Sequence, residues 1–282
     1  MSSAVEVPQD QYTQVGRILT RYWALGDAGK PVILIHGIGA SVEAWMRSIQ
    51  ALAAEHRVYA VDLVGSGLAD KPGAGYSLEQ FASFINGFMV TQRIHRASLI
   101  GHSLGGAVAL SCAIKFPEKA DKLVLVSSNA PARNTSLQFR LATLPVIGEW
   151  LARPSRQRVA RSLRNCFHDP ALVTKEMIET EYGLAGLPGA QEAYLTAVRT
   201  LGGLRGLHRD VVHPIADNLH TISAPTLIVW GRQDRILPLA HAHAAKERIP
   251  NARLQVLDSC GHLPQLECPE AFNALVSEFL AT

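Results

Sequence analysis

Residues 97–106 read Ala97-Ser98-Leu99-Ile100-Gly101-His102-Ser103-Leu104-Gly105-Gly106, and this stretch decides the fold. Its first four residues form a mostly apolar run suited to a strand covered on both faces. From Ala107 to Lys115 small residues follow in a helical stretch, so residues 101–106 form a tight strand-to-helix turn. A serine in such a turn is held in a strained backbone conformation. Glycines two residues before and two after it, Gly101 and Gly105, remove side chains that would collide there. The Ser103 hydroxyl is thereby lifted clear of the sheet edge. The Leu104 N–H, at a helix N-terminus, points to where negative charge develops when a carbonyl is attacked.

The same alternation extends in both directions. Val15–Ala24 reads as one strand, Asp27–Pro31 as a turn and Val32–Ile35 as a buried strand. A helical stretch from Val42 to Ala54 carries Trp45, Ile49 and Leu52 on one side. Arg57–Val61 is the next strand, and a helix over Leu78–Thr91 places Phe81, Phe84, Ile85 and Phe88 at core spacing. After the strand Lys122–Val126 the pattern breaks. From Ala130 to Thr221 the periodicity is helical, with no convincing strand, and Pro145, Pro154, Pro170 and Pro188 punctuate it. Alternation resumes with the strand Pro225–Trp230, a helix near Leu239–Arg248, the strand Arg253–Leu257 and a last helix from Pro269 to Leu280. The expected architecture is α/β, a mostly parallel sheet flanked by helices and joined by right-handed crossovers. Residues 1–129 and 222–282 form its core, and residues 130–221 form an inserted helical cap.

Composition sets limits on this reading. The chain has 282 residues, 48% of them hydrophobic and 18% charged, which excludes a disordered chain. A formal charge of +3 is too mild to argue for a nucleic-acid partner. The longest apolar runs fall short of a membrane span. Met1–Gln11 carries Glu6 and Asp10 and no apolar core of a signal peptide, so a cytoplasmic protein is the default. Cys112, Cys166, Cys260 and Cys268 show no CxxC pair or zinc spacing and read as reduced, mostly buried thiols. His241 and His243, two apart on a helix, face different ways, and neither a metal nor a cofactor is implied.

A serine nucleophile needs a base. Of eleven histidines, His262 stands apart because it follows a strand in the loop Asp258-Ser259-Cys260-Gly261-His262, where Gly261 permits a tight turn. The imidazole needs an orienting carboxylate. Asp234 lies just past the strand ending at Trp230, at the sheet edge where open α/β sheets gather their sites. The region after Val126 reads Ser127-Ser128-Asn129 and has no competing carboxylate. His36-Gly37-Ile38-Gly39 follows the strand Val32–Ile35, and its Ile38 N–H is the second candidate oxyanion donor beside Leu104. His36 and His102 read as structural neighbours, one holding loop carbonyls and the other packing or hydrogen-bonding beside the turn.

These residues together resemble the α/β-hydrolase superfamily, in its esterase–lipase and epoxide-hydrolase-like branch. The segments that carry the resemblance are 36–39, 62–67, 101–106, 230–234 and 261–262, in the family's order across nearly the whole chain. The order Ser103, Asp234, His262 is the family's. The resemblance implies a helical lid after the strand Leu123–Val126, where the pattern breaks. Ser103 stands where haloalkane dehalogenases and epoxide hydrolases of the superfamily have Asp. His102 stands where meta-cleavage C–C hydrolases usually have Asn, although their Gly-His…Gln…Glu pattern resembles Gly261-His262…Gln265…Glu267.

The expectation is a serine hydrolase that cleaves small to medium carboxylic esters, with Ser103, His262 and Asp234 as triad and Ile38 and Leu104 as oxyanion donors. Its partner is a small ester or related acyl compound, and the chain is a monomer or homodimer. The alternatives are a C–C bond hydrolase with the same triad, a lactonase or thioesterase, and a largely non-catalytic ligand-binding protein on this scaffold. In the cap, Arg133, Arg140, Arg153, Arg156, Arg158, Arg161 and Arg164 read as a solvated face partly neutralised by Glu176, Glu179 and Glu181. Leu137, Phe139, Leu144, Val146, Ile147 and Trp150 are divided between lining an acyl pocket and packing the cap onto the core.

Overall fold

Alternate residues of one strand go to opposite sides of the sheet, and this explains the unbroken apolar runs. In a computed structural model describing residues 7–128 and 133–282, Ile33 and Ile35 pack into one core while Val32 and Leu34 pack into another. The same division separates Leu123 and Leu125 from Val124 and Val126. A strand covered on both faces has no side on which a polar residue is favoured.

Eight strands form the main sheet: β1 Gln11–Val15, β2 Ile18–Leu25, β3 Pro31–Ile35, β4 Arg57–Val61, β5 Ala97–His102, β6 Ala120–Val126, β9 Thr226–Gly231 and β10 Arg253–Leu257. Their order is β1-β2-β4-β3-β5-β6-β9-β10. The β1–β2 and β2–β4 pairs are antiparallel and the rest are parallel. One core holds the helices α2 Leu78–Thr91 and α3 Leu104–Lys115, and α10 Ala240–Arg248 packs on the same side. The other core is covered by α1 Ile49–Ala53 and α12 Pro269–Ala281. Helix α2 begins where expected because Ser77 and Gln80 cap it reciprocally, each side chain accepting from the other's amide.

Between β6 and β9 lie α4 Leu137–Ala142, α5 Ile147–Ala152, α6 Arg156–Cys166, α7 Lys175–Ala185, α8 Ala190–Leu201 and α9 Arg209–Ala216. The boundary drawn at residues 129–130 falls outside the described residues, as do the first six residues of the N-terminal reading.

Three local expectations need correction. Val15–Ala24 is not one strand: Gly16, with φ 61°, opens a two-residue turn that folds β1 back onto β2, pairing Val15 with Ile18. The helix over Val42–Ala54 is broken into a 3-10 turn, Val42–Trp45, and α1. The inserted segment is not free of strands, because β7 Gly202–Gly203 and β8 Gly206–Leu207 form a small antiparallel hairpin. Among the described residues no helix is long and apolar enough to cross a membrane.

Candidate active site

The strand-to-helix turn is as tight as its glycines require. Ser103 sits between β5 and α3 at φ 53°, ψ −114°, a region unfavourable for a residue with a Cβ. A Cβ on Gly101 would lie 2.2 Å from Gly105 O, and one on Gly105 would lie 2.1 Å from Ile35 O. Gly106 is constrained as well, since its Cβ would meet Ser128 Oγ at 2.3 Å. Gly101 and Gly105 therefore allow backbone approaches that no other residue permits, and Gly106 leaves room for the Ser128 side chain.

Asp234 follows β9, and His262 follows β10. One Asp234 oxygen accepts the amides of Ile236 and Leu237 at 2.8 and 2.9 Å. The other lies 2.8 Å from His262 Nδ1, and both side chains are buried. With the carboxylate so held, Nδ1 is the protonated nitrogen and Nε2 is left free as a base. Ser103 and His262 line one cavity of about 630 Å³. Among the described residues no hydrogen bond joins the Ser103 hydroxyl to the ring; in apo sites such contacts are often long and tighten on substrate binding. Ile38 and Leu104 line the same cavity, and neither amide donates to another described residue. Asn129, at the end of the alternative acid position, lies outside the described residues.

The two other histidines read from the sequence serve this geometry. His36 Nδ1 donates to Gly37 O at 2.7 Å while Nε2 accepts the Leu63 amide at 2.9 Å, so the ring bridges the loops after β3 and β4. Burial lowers its pKa and keeps it neutral, as that pattern requires. His102 Nε2 lies 2.9 Å from the carbonyl of His262, and the two rings meet edge-on at 4.8 Å. Burial, and then the neighbouring His262, hold the His102 pKa well below the ordinary imidazole range. Its Nε2–H therefore donates to the loop that carries the candidate base, a link that sequence spacing did not reveal.

Three further features were missed. Arg21, Asp62 and Glu43 form a buried cluster: Arg21 Nε donates to Asp62 at 2.8 Å and its two terminal nitrogens to Glu43 at 2.8 Å. Asp62 also accepts the Val42 amide at 2.9 Å, which anchors the end of the loop that carries Ile38. Glu267, buried, accepts Gly261 N at 2.6 Å and Asp169 N at 2.8 Å, and His262 N donates to Cys166 O at 2.6 Å. These bonds fasten the His262 loop to the inserted segment, and Phe167 and Val173 pack there against Leu263 and Leu266. Glu181 does not neutralise the arginine face as expected; it lines the cavity. Its position four residues after Met177, another lining residue, was the available signal. On the surface, Arg156 pairs with Glu179 at 2.7 Å, and Arg158 stacks 4.4 Å above Trp150.

Of the apolar residues assigned to the cap, Phe139 lines the cavity, while Leu137, Val146, Ile147 and Trp150 are exposed. His241 is buried and His243 exposed. Cys112 and Cys260 are buried, Cys166 and Cys268 are half-buried, and all four are free thiols. Burial pushes the Cys112 thiol up to about 12.

A sheet of this order, with a serine at its strained turn and a buried His–Asp pair at the same edge, defines a hydrolase-type α/β protein. A family model described as the alpha/beta hydrolase fold matches residues 30–269, and the chain belongs to that family. It is 32% identical over 258 residues to the 2-hydroxy-6-oxo-2,4-heptadienoate hydrolase of Pseudomonas putida, covering 90% of each chain. Among solved structures, the meta-cleavage product hydrolase of Pseudomonas fluorescens superposes with a TM-score of 0.83 at 30% identity, over 96% of this chain and 97% of that one. A serine hydrolase involved in carbazole degradation gives a TM-score of 0.83 at 26% identity, over 98% and 99% of the two chains. The protein is a hydrolase of this family.

Proposed function

We propose that the protein is a serine hydrolase of carboxylic esters, with Ser103 as nucleophile, His262 as general base and Asp234 as orienting acid. The helices between β6 and β9 act as a cap over the site. The observation that carries this reading is the buried His262–Asp234 pair at 2.8 Å, which opens onto the same cavity as the strained Ser103. Ser103 Oγ attacks the ester carbonyl as its proton passes to His262 Nε2. The Ile38 and Leu104 amides take the charge on the carbonyl oxygen. The C–O bond breaks, the alcohol leaves with the proton from His262, and an acyl-Ser103 intermediate remains. Water then gives a proton to His262 and its oxygen to the acyl carbon, releasing the acid and restoring the serine.

A cavity of about 630 Å³ with a mostly apolar wall suits a medium-sized acyl group. The second reading is a C–C bond hydrolase that uses the same groups on a vinylogous diketone. The names of two relatives, at 32% and 30% identity, favour it. His102, at the position where those enzymes usually have Asn, weighs against it. The test is a panel of p-nitrophenyl esters, thioesters, lactones and ring-fission diketones, run on wild type and Ser103→Ala. Rapid Ser103-dependent ester turnover is the expected result, and a rate on the diketones far above that on esters would establish the second reading. Ester hydrolysis undiminished in Ser103→Ala would overturn the mechanism.

A further inference from the structure

One acid in the cavity wall is used neither by the fold nor by the proposed chemistry. Glu181 sits on α7, on the face that also presents Met177 to the cavity. It lines a second cavity too, of about 260 Å³, which shares Ile38, Leu104 and Tyr194 with the first. Glu181 therefore borders both spaces, as do both candidate oxyanion donors.

The other charged groups around it are engaged or lie at the rim. Glu43 and Asp62 are both bound by Arg21. Arg47 donates to Leu266 O at 2.9 Å. Lys71 donates to Gly67 O and Ala69 O at 2.8 and 2.9 Å. Arg158 donates to Arg153 O, and Glu176 is exposed. Glu181, half-buried where Glu176 is exposed, also has no hydrogen-bond or ion-pair partner among the described residues. A carboxyl drawn partly out of water without a partner costs stability. When it faces a cavity, the missing partner is a donor that a ligand brings.

We infer, resting on the ester-hydrolase reading above, that Glu181 determines substrate class: it accepts a hydrogen bond from a distal hydroxyl of the acyl chain and excludes acyl chains that end in a carboxylate. The preferred substrates are uncharged hydroxyacyl esters. Burial, reinforced by Glu43 and Asp62 and opposed by Arg21, pushes the Glu181 carboxyl up to about 7. In mildly alkaline solution it is an anion, the state that both accepts from a hydroxyl and repels a carboxylate.

The test uses three p-nitrophenyl esters of matched length, the heptanoate, the 6-hydroxyhexanoate and the monoester of adipate, assayed at about pH 8. Wild type is expected to give kcat/KM values in the order hydroxyl, methyl, carboxylate, with the last at least roughly ten-fold below the methyl ester. Glu181→Gln removes the charge and should raise the carboxylate-to-methyl ratio about ten-fold. Glu181→Leu should abolish the hydroxyl-over-methyl preference. Ratios in both variants within about two-fold of wild type would overturn the inference and leave the esterase reading standing. If wild type hydrolyses none of the three, the esterase reading fails. The inference is then judged from the affinities of Ser103→Ala and Ser103→Ala/Glu181→Gln for the same esters, by calorimetry. An unchanged hydroxyl-to-carboxylate affinity ratio between those two proteins overturns it.

Discussion

Replacing Asp234 by Asn isolates what the carboxylate does for His262. The shape is kept, and one side-chain oxygen still accepts the Ile236 and Leu237 amides at 2.8 and 2.9 Å. The other position, now an NH2 group, faces His262 Nδ1 across 2.8 Å. Two donors cannot share that contact, so the imidazole must carry its proton on Nε2, where it cannot act as a base. The variant also loses a negative charge whose centre lies about 4 Å from the cation that forms as Ser103 attacks, worth roughly 4 kcal/mol at the effective dielectric of a protein site. That alone slows the reaction about 10³-fold, and the wrong tautomer carries the loss towards about 10⁴-fold. The assay is kcat for a p-nitrophenyl ester, with circular dichroism and a thermal melt to confirm the fold. A natively folded Asp234→Asn protein that keeps more than about a tenth of wild-type kcat would refute the assignment of Asp234 as orienting acid.

Gly105→Ala places a Cβ 2.1 Å from Ile35 O and 2.6 Å from His36 O, both backbone atoms. Soluble, cooperatively melting protein with a wild-type Tm would contradict the packing described for the turn. Glu267→Gln leaves one oxygen to serve two amides, those of Gly261 and Asp169, and should cost about 2 kcal/mol, or roughly 3 °C in Tm, together with a lower kcat as the His262 loop loosens. An unchanged Tm and kcat would show that the strap has no such role. Burial lowers the pKa of His36 and His102 in the fold, whereas the unfolded chain protonates both below about pH 6.5. Stability from these groups is therefore present above that pH and lost as pH falls, by up to about 1.4 kcal/mol per pH unit for each. Denaturant melts at neutral and mildly acidic pH should show a smaller acid loss in His102→Gln than in wild type, and equal losses would count against a neutral buried His102.

The sheet and its central turn were legible because their signals are local. Alternating apolar strands and helical stretches carry their period within ten residues, and the Leu78–Thr91 and Arg253–Leu257 elements begin and end where the sequence places them. Boundaries failed where a single turn decided them. Gly16 turns a strand back on itself, and the backbone between Trp45 and Ile49 interrupts a helix that composition alone would continue. The apolar residues of the inserted segment were ambiguous for a related reason. Apolar character does not say whether a side chain meets a core, a cavity or solvent, and Phe139 and Val146 show two of these outcomes.

By itself the sequence determined the strand–helix alternation from Val32 to Val126 and from Pro225 onward, the strained Ser103 turn and the residue types available at each strand's end. Each depends on steric and hydrophobic rules acting over a few neighbouring residues. Only the tertiary structure decided that Asp234 meets His262, that His102 holds the His262 carbonyl, that Glu267 ties the same loop to the inserted helices, and that Glu181 faces a cavity without a partner. Hydrogen bonds and buried charges are settled between groups far apart in the chain, 160 residues for His102 and His262 and 219 for Arg47 and Leu266, and local periodicity holds no record of which polar atoms such long-range packing pairs.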